Sequence, residues 1–225
     1  MSKNLDELIQ TGQRQYRNLV LEVKETEDEQ EEQVVEGFAT TYNEPYHLMR
    51  FEGNDGYTIE VKEEVDRHAF DDTDMSDVIM QYDHQGRVFA RLSNGTLSLD
   101  KDNEHGLYIR ADLGGTDIGK QLYQEIKGGY TNKMSFGFTI EKASELKQIE
   151  SDEADEVLVY TIERVGKLYD VSAVSLPQND FTSISARNFN DGEIVKEATE
   201  RLQRHEQNVE RLERIKRLEE LLEKE

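Results

Sequence analysis

The chain has 225 residues and a formal net charge of −22, from 49 acidic against 27 basic side chains. It has no cysteine, which excludes disulfides and cysteine metal sites, and no apolar run approaches the roughly 20 residues that span a bilayer. Such acidity argues against a nucleic-acid ligand, because counterion release needs clustered Lys and Arg; it fits high solubility or a basic partner. The first residues, Met1-Ser2-Lys3-Asn4-Leu5-Asp6-Glu7, lack the apolar core of a signal peptide, and a soluble cytoplasmic protein is expected.

In chain order, Leu5, Leu8 and Ile9 suggest a short helix within an N-terminal arm, residues 1–15. Leu19, Leu21 and Val23 share one face of a strand over 16–25. Seven acidic residues from Glu22 to Glu32 read as a solvated hairpin loop, and residues 34–40 return as a second strand. Asn43-Glu44-Pro45-Tyr46 signals a turn, and 57–65 is a further strand. Residues 78–84 alternate Val78, Met80, Tyr82, His84 against Ile79, Gln81, Asp83, which predicts a strand ending at His84. Strands over 87–92, 95–99 and 106–113 follow.

One helix interrupts them. Thr116 caps residues 117–127, where Ile118, Leu122 and Ile126 recur at four-residue steps before Gly128. The strand over 131–142 comes next, with Met134, Phe136, Phe138 and Ile140 on one face and Ser135 on the other. Residues 145–156 read as a polar loop, 157–165 and 168–176 as the last two strands, and 180–187 as the domain edge. This spacing predicts a mainly β, α+β domain over 16–187, built as a closed or nearly closed antiparallel β-barrel. A linker at 188–193 then leads to an amphipathic C-terminal helix over 194–225, a tether or dimerisation element whose apolar stripe His205 interrupts.

Three residues stand out chemically. Imidazole titrates near working pH, so His84 is a candidate general base, against the alternative of a structural strand-end histidine. Ser135 is a candidate nucleophile, with Gly137 leaving room beside its hydroxyl for a substrate backbone. Asp170 sits on a strand otherwise suited to burial, where a lone carboxylate is costly unless paired with a histidine N–H or with Lys167 or Arg164. Glu163 is the alternative third member. No histidine pair has metal-ligand spacing, and neither a metal nor a cofactor is expected.

These features together resemble the prohead proteases of tailed phages. The resemblance rests on Asp83-His84 with Gly86 behind it, on Met134-Ser135-Phe136-Gly137-Phe138, and on the run from Asp170 to Pro177. Gly37-Phe38-Ala39, Ala69-Phe70 and Gly106-Leu107 also fit, and the match covers about residues 20–187. It implies a serine endopeptidase of capsid maturation with a barrel fold shared with herpesvirus assemblins. Ser135 is then the nucleophile, His84 the base and Asp170 the third member. The implied partners are scaffold and the major capsid protein, cut inside the prohead together with the enzyme itself, with self-association through the C-terminal helix. Gly114-Gly115 and Gly128-Gly129 are candidates for an oxyanion hole by their open backbone. The competing expectation is a noncatalytic assembly module acting through its acidic surface and helix. The Gly-x-Ser-x-Gly elbow of α/β-hydrolases is absent.

Overall fold

Alternation of large apolar residues along Met134, Phe136, Phe138 and Ile140 makes one strand the spine of the core. A computed structural model of the protein describes residues 14–20, 33–175 and 193–222. There, β9 (Lys133–Ala143) buries all four side chains, and the Phe136 and Phe138 rings stack at 4.4 Å. It pairs antiparallel with β1 (Arg14–Val20) and with β11 (Glu156–Val174). Residues 157–159 of β11 lie between β10 (Lys147–Ile149) and β4 (Thr58–Val65), and residues 170–173 lie between β9 and β5 (Ile79–Tyr82). β3 (Tyr46–Glu52) joins through β4 and β6 (Gln85–Arg91) through β5, giving an eight-stranded sheet. β2 (Val34–Thr41), β8 (Gly106–Asp112) and β7 (Leu97–Asp100) form a second sheet of three strands.

The fold is mainly β with two helices, but its described strand pairings do not close into the expected antiparallel barrel. They make two sheets, and β11 runs parallel to both β4 and β5. Parallel partners require long crossovers, which local turn spacing does not reveal. The two strands expected over 157–165 and 168–176 are one strand of 19 residues. Its register against β9 shifts four times between Ile162 and Asp170, and these irregularities absorb the interruption at Gly166. Thr139 Oγ1 accepts the Lys167 N–H at 3.1 Å there, and Lys167 Nζ pairs with Asp74 at 2.8 Å. That pair, with the Ser76 donors, holds the Asp74 carboxyl well below the usual carboxylate range. The turn expected at Asn43-Glu44-Pro45-Tyr46 leads into β3, a strand the sequence reading leaves unassigned, and β10 falls where a polar loop is expected.

The first helix, α1 (Asp117–Lys127), matches its expectation. Thr116 Oγ1 accepts the Gly119 N–H at 3.1 Å, and Leu122 and Ile126 are buried. The second, α2 (Glu193–Leu222), buries Ile194 and Ala198 and packs Leu202 on the core. The histidine that interrupts its stripe has a packing role: His205 stacks on Tyr57 at 3.7 Å and meets Asp55 at 3.0 Å. Past this contact Leu212, Ile215, Leu218 and Leu221 are exposed. The helix expected in residues 2–13, the acidic loop, the edge at 180–187 and the linker at 188–192 lie outside the described residues.

One buried carboxyl ties β3, β4 and β11 together. Glu63 is fully buried and accepts hydrogen bonds from the Tyr46 and Tyr160 hydroxyls. Removing a donor from a buried acceptor costs about 1–3 kcal/mol. Tyr160→Phe is therefore expected to lower unfolding free energy by that amount, read from urea denaturation at unchanged m-value.

Candidate active site

Two consecutive left-handed residues present the histidine. β5 ends at Tyr82, so His84 is not the strand-end residue that alternation predicted. Asp83 (φ 48°) and His84 (φ 57°) form the two-residue turn to β6, closed by the Tyr82–Gln85 pair. Such turns demand positive φ at both central positions, and Asn-Gly or Asp-Gly meets that demand most easily. With Asp-His the strain must be held by the surroundings. Asp83 supplies the restraint: its N–H donates to the Ala173 carbonyl at 3.0 Å, and its carboxylate accepts from Ser175 N–H at 3.1 Å and Ser175 Oγ at 3.2 Å. The hairpin tip is thereby fastened to the end of β11.

Strand register brings the other two groups to the same face. Ser135 lies opposite Ser172, and Gly137 opposite Asp170, across the β9–β11 pairing. Leu168 faces Phe138 in the core, whereas Asp170 faces Gly137, so the extra residue Tyr169 is a bulge. Without it, alternation would put Asp170 on the same face as Leu168, in the core. A bulge beside a functional group commonly re-aims a side chain in this way.

The three side chains form a chain of short hydrogen bonds. His84 Nδ1 lies 2.6 Å from Asp170 Oδ1, and His84 Nε2 lies 2.6 Å from Ser135 Oγ. An ionised carboxylate only accepts, so the Nδ1–H donates to Asp170 and the bare Nε2 faces the Ser135 hydroxyl. Ser172 Oγ donates to the same Asp170 oxygen at 2.7 Å. Asp170, Ser135 and Ser172 are fully buried, and the His84 side chain is 12% exposed. A buried carboxylate with two donors meets the requirement that burial imposes on charge. An imidazole that can take the serine proton while a carboxylate holds its far side suits nucleophilic attack by Ser135.

The alternatives weighed from the sequence sit elsewhere. Lys167 is bound to Asp74, Arg164 to Glu141, and Glu163 pairs with Lys142 at the surface. Of the four glycine amides proposed for an oxyanion hole, three already donate within their own turns. Gly114 N–H donates to Asp112 Oδ1, Gly128 N–H to Gln124 and Gly129 N–H to Ile126. Two contributors escaped the sequence reading. Ser172 is visible in the sequence only as an i+2 neighbour of Asp170, and alternation puts Asp83 on the strand face opposite His84. Its partner Ser175 is 92 residues distant.

The family model for Caudovirus prohead serine protease matches residues 20–197. No curated protein and no solved structure matches the chain.

Proposed function

The chain belongs to the Caudovirus prohead serine protease family, and from that premise we propose that Ser135, His84 and Asp170 carry its peptidase chemistry. The enzyme is a serine endopeptidase of phage capsid maturation. The observation that carries the residue assignment is the His84 bridge, with 2.6 Å contacts to both Asp170 and Ser135.

Ser135 Oγ attacks the scissile carbonyl while His84 Nε2 takes its proton. Asp170 keeps the His84 Nδ1–H in place and stabilises the imidazolium that forms. His84 then gives the proton to the departing amine, leaving an acyl group on Ser135. Water, deprotonated by the same nitrogen, releases the acid. Backbone N–H donors facing the developing oxyanion complete the requirement.

The substrates are the scaffold or the scaffold-like arm of the major capsid protein, cut inside the prohead, and finally the enzyme itself. The two sheets are read as walls of the assemblin-type barrel, with β2 lying against β1 and β9 where they meet. The exposed apolar positions of α2 beyond His205 serve tethering or self-association. Intact mass followed over time, at low and high concentration, tests the reading. Purified protein is expected to shorten, with a cut near residues 188–192, while Ser135→Ala stays full length. Wild type that remains intact even with scaffold and capsid protein added would favour a noncatalytic assembly module.

A further inference from the structure

A strand face and a helix face meet beside His84. On the hairpin, Tyr82 precedes the turn, while Gln85 and Phe89 share one side of β6. On α1, Ile118, Gln121 and Leu122 lie at i, i+3 and i+4, one helix face. Together these surfaces line an open cleft of about 380 Å³, within the usual size of a ligand pocket. Two of its walls, Tyr82 and Gln85, bracket the Asp83-His84 turn. His84 is also the one member of the site with exposed surface, so substrate must arrive on its side.

We propose that this cavity receives a large apolar side chain of the substrate peptide, within a few residues of the scissile bond. The inference rests on the serine peptidase reading above. Two observations select the occupant. The remaining lining residues, Arg87 and Glu125, are exposed and of opposite sign, so together they favour neither a cationic nor an anionic side chain. What discriminates is the apolar surface of Tyr82, Phe89, Ile118 and Leu122. Secondly, among the described strand pairings β6 bonds to β5 alone. Its outer edge suits an extended peptide added as a further strand, and alternate side chains of that peptide then point toward the cavity.

The test uses the full-length chain and a peptide mixture made by digesting a bacterial proteome, with new termini read by mass spectrometry. Wild-type cleavage sites are expected to share Leu, Ile, Met or Phe at one position close to the cut. Gln121→Trp, a change at an exposed helix position that fills the cavity, should lower the preference for those residues over Ala by about tenfold or more. Phe89→Ala should shift the preference toward larger side chains, and it decides the matter if the tryptophan variant does not fold. Cleavage without such a preference, or a folded cavity variant with the wild-type profile, would overturn this inference alone. Wild type that cleaves nothing, or Ser135→Ala that cleaves equally, would overturn the peptidase reading beneath it.

Discussion

Ser135→Ala is expected to abolish proteolysis, lowering kcat by on the order of 10⁴-fold or more, while leaving the fold in place. Both halves of this expectation come from the strand. Residue 135 is held by β9 pairing on both edges, opposite Asn18 and Ser172. Alanine keeps the backbone ladder and the Cβ, and its small side chain needs no new space. What is lost is the hydroxyl on His84 Nε2, a hydrogen bond worth only about 0.5–1.5 kcal/mol of stability. The nucleophile is lost with it, and no neighbouring group replaces it in line with the imidazole: Ser172 instead donates to Asp170. Circular dichroism and urea midpoint should therefore stay close to wild type while product formation disappears. A variant that still cleaves at a tenth of the wild-type rate would remove Ser135 from the mechanism.

Asp170→Asn should lower kcat by about 10⁴-fold through the histidine alone. An amide of the same shape can turn its NH₂ toward His84 Nδ1. The imidazole then keeps its proton on Nε2, and no lone pair faces Ser135. Asp170→Ala should in addition destabilise the protein, since the His84 and Ser172 donors both lose their buried acceptor, at about 1–3 kcal/mol each. Glu163→Gln separates the two candidates for the third position. Glu163 is paired with Lys142 and its side chain is 37% exposed, so its loss should leave cleavage rates unchanged. A large loss in Glu163→Gln with little loss in Asp170→Asn would reverse the assignment. The carboxylate–imidazole contact has its own signature, the ring-nitrogen NMR shifts of His84, which should change in Asp170→Asn and not in Glu163→Gln.

Much of this site was legible because each group lies in a strongly patterned segment. The Met134 to Ile140 alternation sets the Ser135 face directly, and the capped helix at Asp117–Lys127 follows from Thr116, the four-residue steps and Gly128. The errors share one cause: they concern geometry that neighbours far along the chain impose. Alternation runs unbroken through Asp83-His84, with none of the glycine that usually marks such a turn, so nothing local shows that the strand has already ended. The restraint that makes the turn affordable comes from Ser175. Similarly, simple alternation puts Leu168 and Asp170 on one face, and only the β9 register reveals the bulge that separates them. Gly166 reads as a break between strands because a glycine interrupts the apolar alternation there, yet Thr139 and Asp74 hold the bulged segment in the sheet. The parallel pairings of β11 had no local signal at all.

The most direct test of the central claim is covalent labelling of the nucleophile. Wild-type protein treated with a fluorophosphonate should gain the mass of one phosphonyl group, mapped by peptide sequencing to Ser135. Labelling should vanish in Ser135→Ala and slow sharply in His84→Ala and Asp170→Asn. A wild-type protein that cleaves its substrates but takes no label at Ser135, or carries the label on another serine, would contradict the account.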